Sequence, residues 1–176
     1  MIRPFADIVT TNLRIRIATS TDAAFITQIE NDEDRKRFVG GVSGKSEEFY
    51  RKSLTAIRDL RCLIVESLAT RVPIGRCGLL TDSISDDCDI HIVLAKDNCG
   101  RGLGTDIALE LKRLAADAFP DKALTAKVHP DNAPSLAIIS KLGLAPNGTI
   151  SSESYDNGWL KFRARCLANK SSNQAM

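Results

Sequence analysis

Three glycines at alternate positions, Gly100, Gly102 and Gly104, separate an apolar run ending at Leu94 from a long amphipathic segment that follows. In that segment Ile107, Ala108, Leu111, Leu114, Ala115 and Ala118 recur at helical spacing, and Pro120 closes a helix expected over 104–119. Glycines between a strand and a helix let successive N–H groups converge on an anion, and the helix start adds about half a positive charge. The turn therefore reads either as a phosphate site, with Arg101 as a direct charge contact, or as a tight turn and nothing more. It is not a P-loop, because no Gly-Lys-Ser/Thr follows. Its Gly-Arg-Gly-Leu-Gly-Thr also lacks the spacing of a dinucleotide fingerprint. Nucleotide hydrolysis and hydride transfer lose ground accordingly.

Leu13, Ile15 and Ile17 alternate with Arg14 and Arg16, the period of a half-buried strand. Ser20 or Thr21 then caps a helix with Phe25, Ile26 and Ile29 on one face. A second helix from about residue 46 turns Phe49, Leu54 and Ile57 inward. Residues 62–66 and 74–80 read as antiparallel strands, and 88–94 as another. After the long helix come a strand at 124–128 and a short helix at 132–142. The latter buries Leu136, Ile139 and Leu142 and ends at Gly143. Strands at 148–155 and 159–166 close the chain. Strands and helices in this order specify a mixed α/β (α+β) fold rather than a doubly wound one. At 176 residues and 43% hydrophobic content the chain suits one domain, with a core over about 13–167 and a frayed polar tail at 168–176.

Twenty-four Lys and Arg against 22 Asp and Glu leave a net charge of +2, too balanced to predict nucleic-acid binding from the field. Cys62, Cys77, Cys88, Cys99 and Cys166 are scattered without a CxxC pair, so they read as reduced thiols with no metal site. Residues 1–13 lack a signal-peptide pattern, and no apolar run reaches the ~18 residues of a membrane span. A cytoplasmic protein with no membrane partner is expected.

Cys99-Gly100-Arg101-Gly102-Leu103-Gly104 opens the long helix, and Asn132-Ala133-Pro134-Ser135 runs on to Lys141-Leu142-Gly143-Leu144. In this pair of motifs the sequence resembles the GNAT (GCN5-related N-acetyltransferase) superfamily. Residues 30–40 are similar to its ribosomal-protein N-terminal acetyltransferase branch. The resemblance implies a central, mostly antiparallel mixed sheet flanked by helices. It also implies a splayed strand whose residues Ile92, Val93 and Leu94 hold the pantetheine arm of acetyl-CoA. The pyrophosphate would lie on Gly100, Arg101, Gly102, Leu103, Gly104 and Thr105, with Asn132 and Ser135 toward the pantetheine or acetyl end. Asn132 reads equally as a helix N-cap. The implied activity moves an acetyl group to a primary amine of a small molecule or protein N-terminus, and the implied assembly is a homodimer. Two positions depart from the pattern: Cys99 replaces a Gln or Arg, and Ile139 stands where many members carry a tyrosine general acid.

Attack on a thioester needs a neutral amine, and hence a route for its proton. Asp89 and His91, two apart on one strand, share a face and are the first candidates for the base. They read otherwise as a solvated carboxylate and a half-buried imidazole. His129 and Asp131 touch substrate or are ordinary loop residues. Glu30, Asp32, Glu33 and Asp34 would attract a cationic amine or form a solvated face, and Tyr155 and Trp159 would flank the same mouth. Cys99 has no adjoining base, and direct transfer needs no covalent intermediate. Two other readings stand beside the enzyme: a catalytically silent acyl-CoA-binding module, and an unrelated α/β protein with a glycine turn.

Overall fold

The computed structural model describes residues 5–38, 41–56, 59–81, 84–152 and 155–165. Strands β1 (Ile8–Val9), β2 (Leu13–Ile17), β3 (Leu63–Ser67), β4 (Pro73–Thr81), β5 (Asp87–Leu94), β6 (Ala123–Val128), β7 (Ala145–Ser152) and β8 (Tyr155–Arg165) form one sheet. Its spatial order is β1-β2-β3-β4-β5-β6-β8-β7. Every pairing is antiparallel except β5 with β6. Helices α1 (Ala23–Glu30), α2 (Glu33–Lys36) and α3 (Glu47–Ala56) lie between β2 and β3 in the chain. Helix α4 (Leu103–Ala118) joins β5 to β6, and α5 (Ala133–Leu142) joins β6 to β7. The mixed α/β arrangement expected from the element order and the mostly antiparallel sheet implied by the resemblance are both present.

Alternation along the strands divides the core. Leu13, Ile15, Leu63, Val65, Cys77, Leu79, Cys88 and Leu124 point to one face, where they pack with Ile107, Leu111, Ile139 and Leu142 of α4 and α5. Cys62 and Ile64 point to the other, against Ala23 and Ile26 of α1 and Leu54 of α3. Strand β3 carries apolar residues at both parities and is covered on both faces, whereas β4 and β5 turn Arg76, Gly78, Asp89 and His91 to the second face.

The structure adds two short elements that the periodicity did not show. Strand β1 has two residues and α2 has four, too few for either period to register. Phe49 departs from expectation. It is 46% exposed, while its neighbour Tyr50 packs against the smaller core and shares a 2.6 Å hydrogen bond with Ser43. Ile57, Cys166 and the tail, together with the side chain of Tyr155, lie outside the described residues.

Candidate active site at the parting of two strands

Strands β5 and β6 pair in parallel only through Asp87↔Ala123, Cys88↔Leu124 and Asp89↔Thr125, although β5 continues to Leu94 and β6 to Val128. Beyond Asp89 the two strands diverge. Ala95 N donates to Ile74 O at 2.9 Å, and Val93 lies opposite Arg76 of β4. Backbone groups alternate along a strand, so the peptide of Val93 is turned to β4 while the N–H and C=O of Ile92 and the N–H of Leu94 face the gap. Of the three residues expected on the pantetheine edge, Ile92 and Leu94 present their backbone to it, and Val93 supports it from the β4 side. Ile90, Ile92 and Leu94 are half-buried against the larger core.

Strand β5 leads through a 3-10 turn at Lys96–Asn98 into the glycines. Gly100 and Gly102 take φ of 74° and 80°, the left-handed region that side chains with a Cβ rarely adopt. Gly102 is the N-cap of α4, so the glycine turn ends with the N–H groups of the first turn facing out of the helix. Arg101 is exposed and makes no ion pair among the described residues, while Leu103, Gly104 and Thr105 are half-buried. Thr105 N already donates to Gly102 O at 2.9 Å, so the Arg101 guanidinium and the Leu103 and Gly104 amides at the helix start are the donor set suited to phosphate oxygens.

Asn132 performs the cap that its position predicted. Its Oδ1 accepts Ser135 N at 3.2 Å, and Pro134 occupies the first turn. Its Nδ2 has no partner among the described residues, so capping leaves the amide free to donate. Ile139 is 4% exposed and sits in the larger core, so no hydroxyl acts from that position. Cys99 Sγ lies 3.6 Å from Ala95 O at the surface.

Asp89 and His91 do share a face, opposite Leu80 and Gly78 of β4 respectively, but each is already engaged. Asp89 Oδ2 lies 2.6 Å from Lys127 Nζ, and its Oδ1 accepts the Thr125 hydroxyl. His91 Nε2 donates to Arg61 O at 3.0 Å. A Cβ on Gly78 would stand 2.5 Å from that same oxygen and 2.7 Å from Nε2, so only glycine fits beside the ring. Burial, with the charges of Arg76 and Lys36, pushes the His91 pKa down to about 3. The imidazole is neutral at any physiological pH and poorly matched to proton transfer there.

His129 is placed differently. It follows Thr125 and Lys127 at alternate positions of β6, at the end where the strands are furthest apart. Its ring lies 5.1 Å from that of Phe38 and 5.6 Å from that of Trp159, the latter edge to face. His129 Nδ1 accepts Asp131 N at 3.1 Å, so the neutral ring carries its proton on Nε2. The sequence signal for it was weak: one imidazole after a strand.

The acidic stretch does not form an anionic mouth. Glu30 is 6% exposed and binds Lys36 at 2.8 Å and Arg76 at 3.1 Å. Asp34 binds Lys96 at 3.1 Å. Lys36 lies on α2 beside them, but Arg76 comes from β4 and Lys96 from the turn after β5, so sequence order could not reveal those two partners.

The acetyltransferase (GNAT) domain family matches residues 12–145. No curated protein matches the sequence. Among solved structures, the spermidine N-acetyltransferase of Vibrio cholerae in complex with CoA and spermine superposes with a TM-score of 0.72 at 18% identity, covering 88% of this chain and 94% of that one. The ribosomal-protein-S5-alanine acetyltransferase of Vibrio fischeri gives 0.73 at 16% identity, covering 94% and 98%. The yncA protein of Salmonella typhimurium with its cofactor acetyl-CoA gives 0.71 at 16% identity, covering 94% and 100%. At such identities these likenesses establish the fold, and the match over 12–145 establishes the lineage: the chain belongs to the GNAT acetyltransferase family.

Proposed function

We propose that the protein transfers the acetyl group of acetyl-CoA to a primary amine by direct attack. The observation that carries this reading is the parting of β5 from β6 beyond Asp89 and Thr125, because it frees a backbone edge that runs straight into the glycine turn. An extended amide-bearing arm can pair with the Ile92 and Leu94 edge as a further strand would. Its diphosphate then falls at Gly100–Thr105, near Arg101. Asn132 Nδ2 and the Ser135 end of α5 are the polar groups for the other side of the arm. The CoA complex of the Vibrio cholerae enzyme and the acetyl-CoA complex of the Salmonella protein agree with this ligand class.

In the reaction the amine lone pair forms the N–C bond and the carbonyl π pair moves to oxygen, where a free N–H of β5, Leu94 foremost, donates to it. Collapse breaks the C–S bond with its electron pair on sulfur, and the proton of the attacking amine passes to water. The sulfur leaves as a thiolate, and His129 Nε2–H donates a hydrogen bond to it without giving up its proton, since Ile139 supplies no hydroxyl. Asp89 acts as a positioning residue through Lys127 and Thr125. His91, held neutral, shapes the face opposite Gly78.

A silent acyl-CoA-binding module is favoured by one observation, the apolar Ile139 in the core. Two measurements separate the readings. Thermal stabilisation by acetyl-CoA tests binding, and a ligand at 100 times its Kd adds about 2.7 kcal/mol. Thiol release in the presence of a panel of amines and N-terminal peptides tests transfer. Stabilisation with release supports the enzyme, stabilisation alone supports the module, and neither removes both.

A further inference from the structure

Two cations share one carboxylate on the α1/α3 face of the sheet, beside the parted strands. Lys36 Nζ lies 2.8 Å from Glu30 Oε2, and Arg76 Nη1 lies 3.1 Å from Glu30 Oε1. The three side chains are only 10%, 20% and 8% exposed for Lys36, Arg76 and Glu30. The other buried carboxylates on this face are taken: Asp22 and Glu66 by Arg16 at 2.7 and 2.6 Å, and Asp89 by Lys127 at 2.6 Å. His91, beside Arg76, is neutral and offsets nothing. The Glu30 cluster itself thus holds two cations on one carboxylate in a poorly solvated place, an arrangement that an added anion would relieve.

Arg76 shows where that anion belongs. Its Nη1 is spent on Glu30, while its Nε is buried with no hydrogen-bond partner. Nε and Nη2 form the side edge of a guanidinium, two parallel N–H donors that match the two oxygens of a carboxylate. Neither has a partner among the described residues. Arg76 is also the direct cross-strand neighbour of Val93, so its side chain rises from the strand beside β5, on the same face of the sheet as the Val93 side chain. A polyamine would bring further positive charge to this spot.

Resting on the acetyl-transfer reading above, we infer that the acceptor is a small aminocarboxylate, whose carboxylate binds the free Nε/Nη2 edge of Arg76 while its amine faces the thioester. A carboxylate held from the strand beside β5 and an amine at the β5 edge lie on adjacent strands, which suits a free amino acid or a short-chain amino acid better than a long peptide.

The test compares matched acceptors in the thiol-release assay: free amino acids, their carboxamides, the decarboxylated amines, the corresponding aminophosphonates, spermidine, and peptides. Acetyl-CoA stabilisation is measured in parallel. At least one aminocarboxylate should show a KM tenfold or more below that of its carboxamide. Arg76→Lys, which keeps the charge and removes the fork, should raise that KM at least tenfold and narrow the acid-to-carboxamide ratio of KM toward one, with the KM for acetyl-CoA within twofold of wild type. Equal KM for acid and amide, preference for spermidine, peptides or aminophosphonates, or an unchanged Arg76→Lys enzyme overturns the inference while leaving acetyl transfer standing. If acetyl-CoA binds but nothing turns over, the same compounds are tested for thermal stabilisation with CoA present. Absence of an Arg76-dependent shift by an aminocarboxylate also overturns it. Failure to bind acetyl-CoA at all instead removes the reading on which it rests.

Discussion

Lys127 Nζ lies 2.6 Å from Asp89 Oδ2 at the last paired position of β5 and β6. The Thr125 hydroxyl binds the other oxygen of the same carboxylate. One side chain of β5 thus grips two of β6 just before the strands part, which fixes where the opening begins. A carboxylate so employed is a hinge pin before it is a base.

Asp89→Asn should therefore destabilise the protein by about 1 kcal/mol, because it removes the charge from the pair with Lys127 and weakens the bond from the Thr125 hydroxyl. If Asp89 and Lys127 act as a pair, Lys127→Met should cost less in the Asp89→Asn background than in wild type. Urea unfolding of the two single variants and the double variant measures the coupling. In activity, Asp89→Asn should raise the KM for acetyl-CoA and leave the shape of the pH–rate profile intact. Loss of the acidic limb's ionisation from that profile would restore Asp89 as the proton acceptor.

His91 sets the acid side of the stability curve. Its folded pKa, about 3, lies below its ordinary 6.5, so between those values the unfolded chain binds a proton that the folded chain does not. Stability accordingly falls as pH drops from 6.5 toward 3. His91→Gln, whose amide can still donate to Arg61 O, should flatten this slope. Asp22 contributes in a lower window. Burial raises its pKa, but Arg16 and the Thr19 N–H outweigh burial and hold it below 3.8, so its contribution is lost only under more acid conditions. Unfolding midpoints at pH 7, 6, 5 and 4 isolate the histidine, and parallel curves for wild type and variant would refute its role.

Gly102→Ala should cost about 1 kcal/mol, from the strain of a φ of 80° alone, since nothing lies within 4 Å of the added Cβ. For a chain of this size that is a fall of roughly 2–4 °C in Tm. Gly102→Asn should cost less, because Asn tolerates the left-handed region. Acetyl-CoA stabilisation should shrink in both variants if the turn holds the diphosphate. Full stabilisation in Gly102→Ala would move the diphosphate elsewhere.

Asn132 separates capping from ligand binding. Asn132→Ala removes the acceptor for Ser135 N and should cost about 1 kcal/mol. Asn132→Asp keeps that acceptor and deletes the free Nδ2 donor. The Asp variant should melt like wild type yet show a raised KM for acetyl-CoA. Wild-type kinetics in Asn132→Asp would leave Asn132 a cap only.

Much of the architecture was readable from local pattern. Leu13–Ile17, Leu103–Ala118 and Ala133–Leu142 carry a clear period together with a stop signal, so strand and helix followed directly. The glycine turn was equally visible, because φ above zero is a property of the residue type. The placement of side chains that meet across strands was not. Asp89 and His91 were assigned one face correctly from the period of two. Their engagement by Lys127, Thr125 and Arg61 depends on which strands lie beside β5, and those come from 36 and 30 residues away in the chain.

The acidic run at Glu30–Asp34 marks the boundary between the two kinds of information. By itself the sequence determined the elements, the glycine turn and the family-specific motifs, since each is written in neighbouring residues and their backbone preferences. Tertiary structure alone decided that Glu30 is buried between Lys36 and Arg76, that Arg76 stands opposite Val93, and that two cations there share one carboxylate. The sign of a buried site is a sum over residues that only folding brings within a few ångströms of one another, where low polarisability makes each unbalanced charge count.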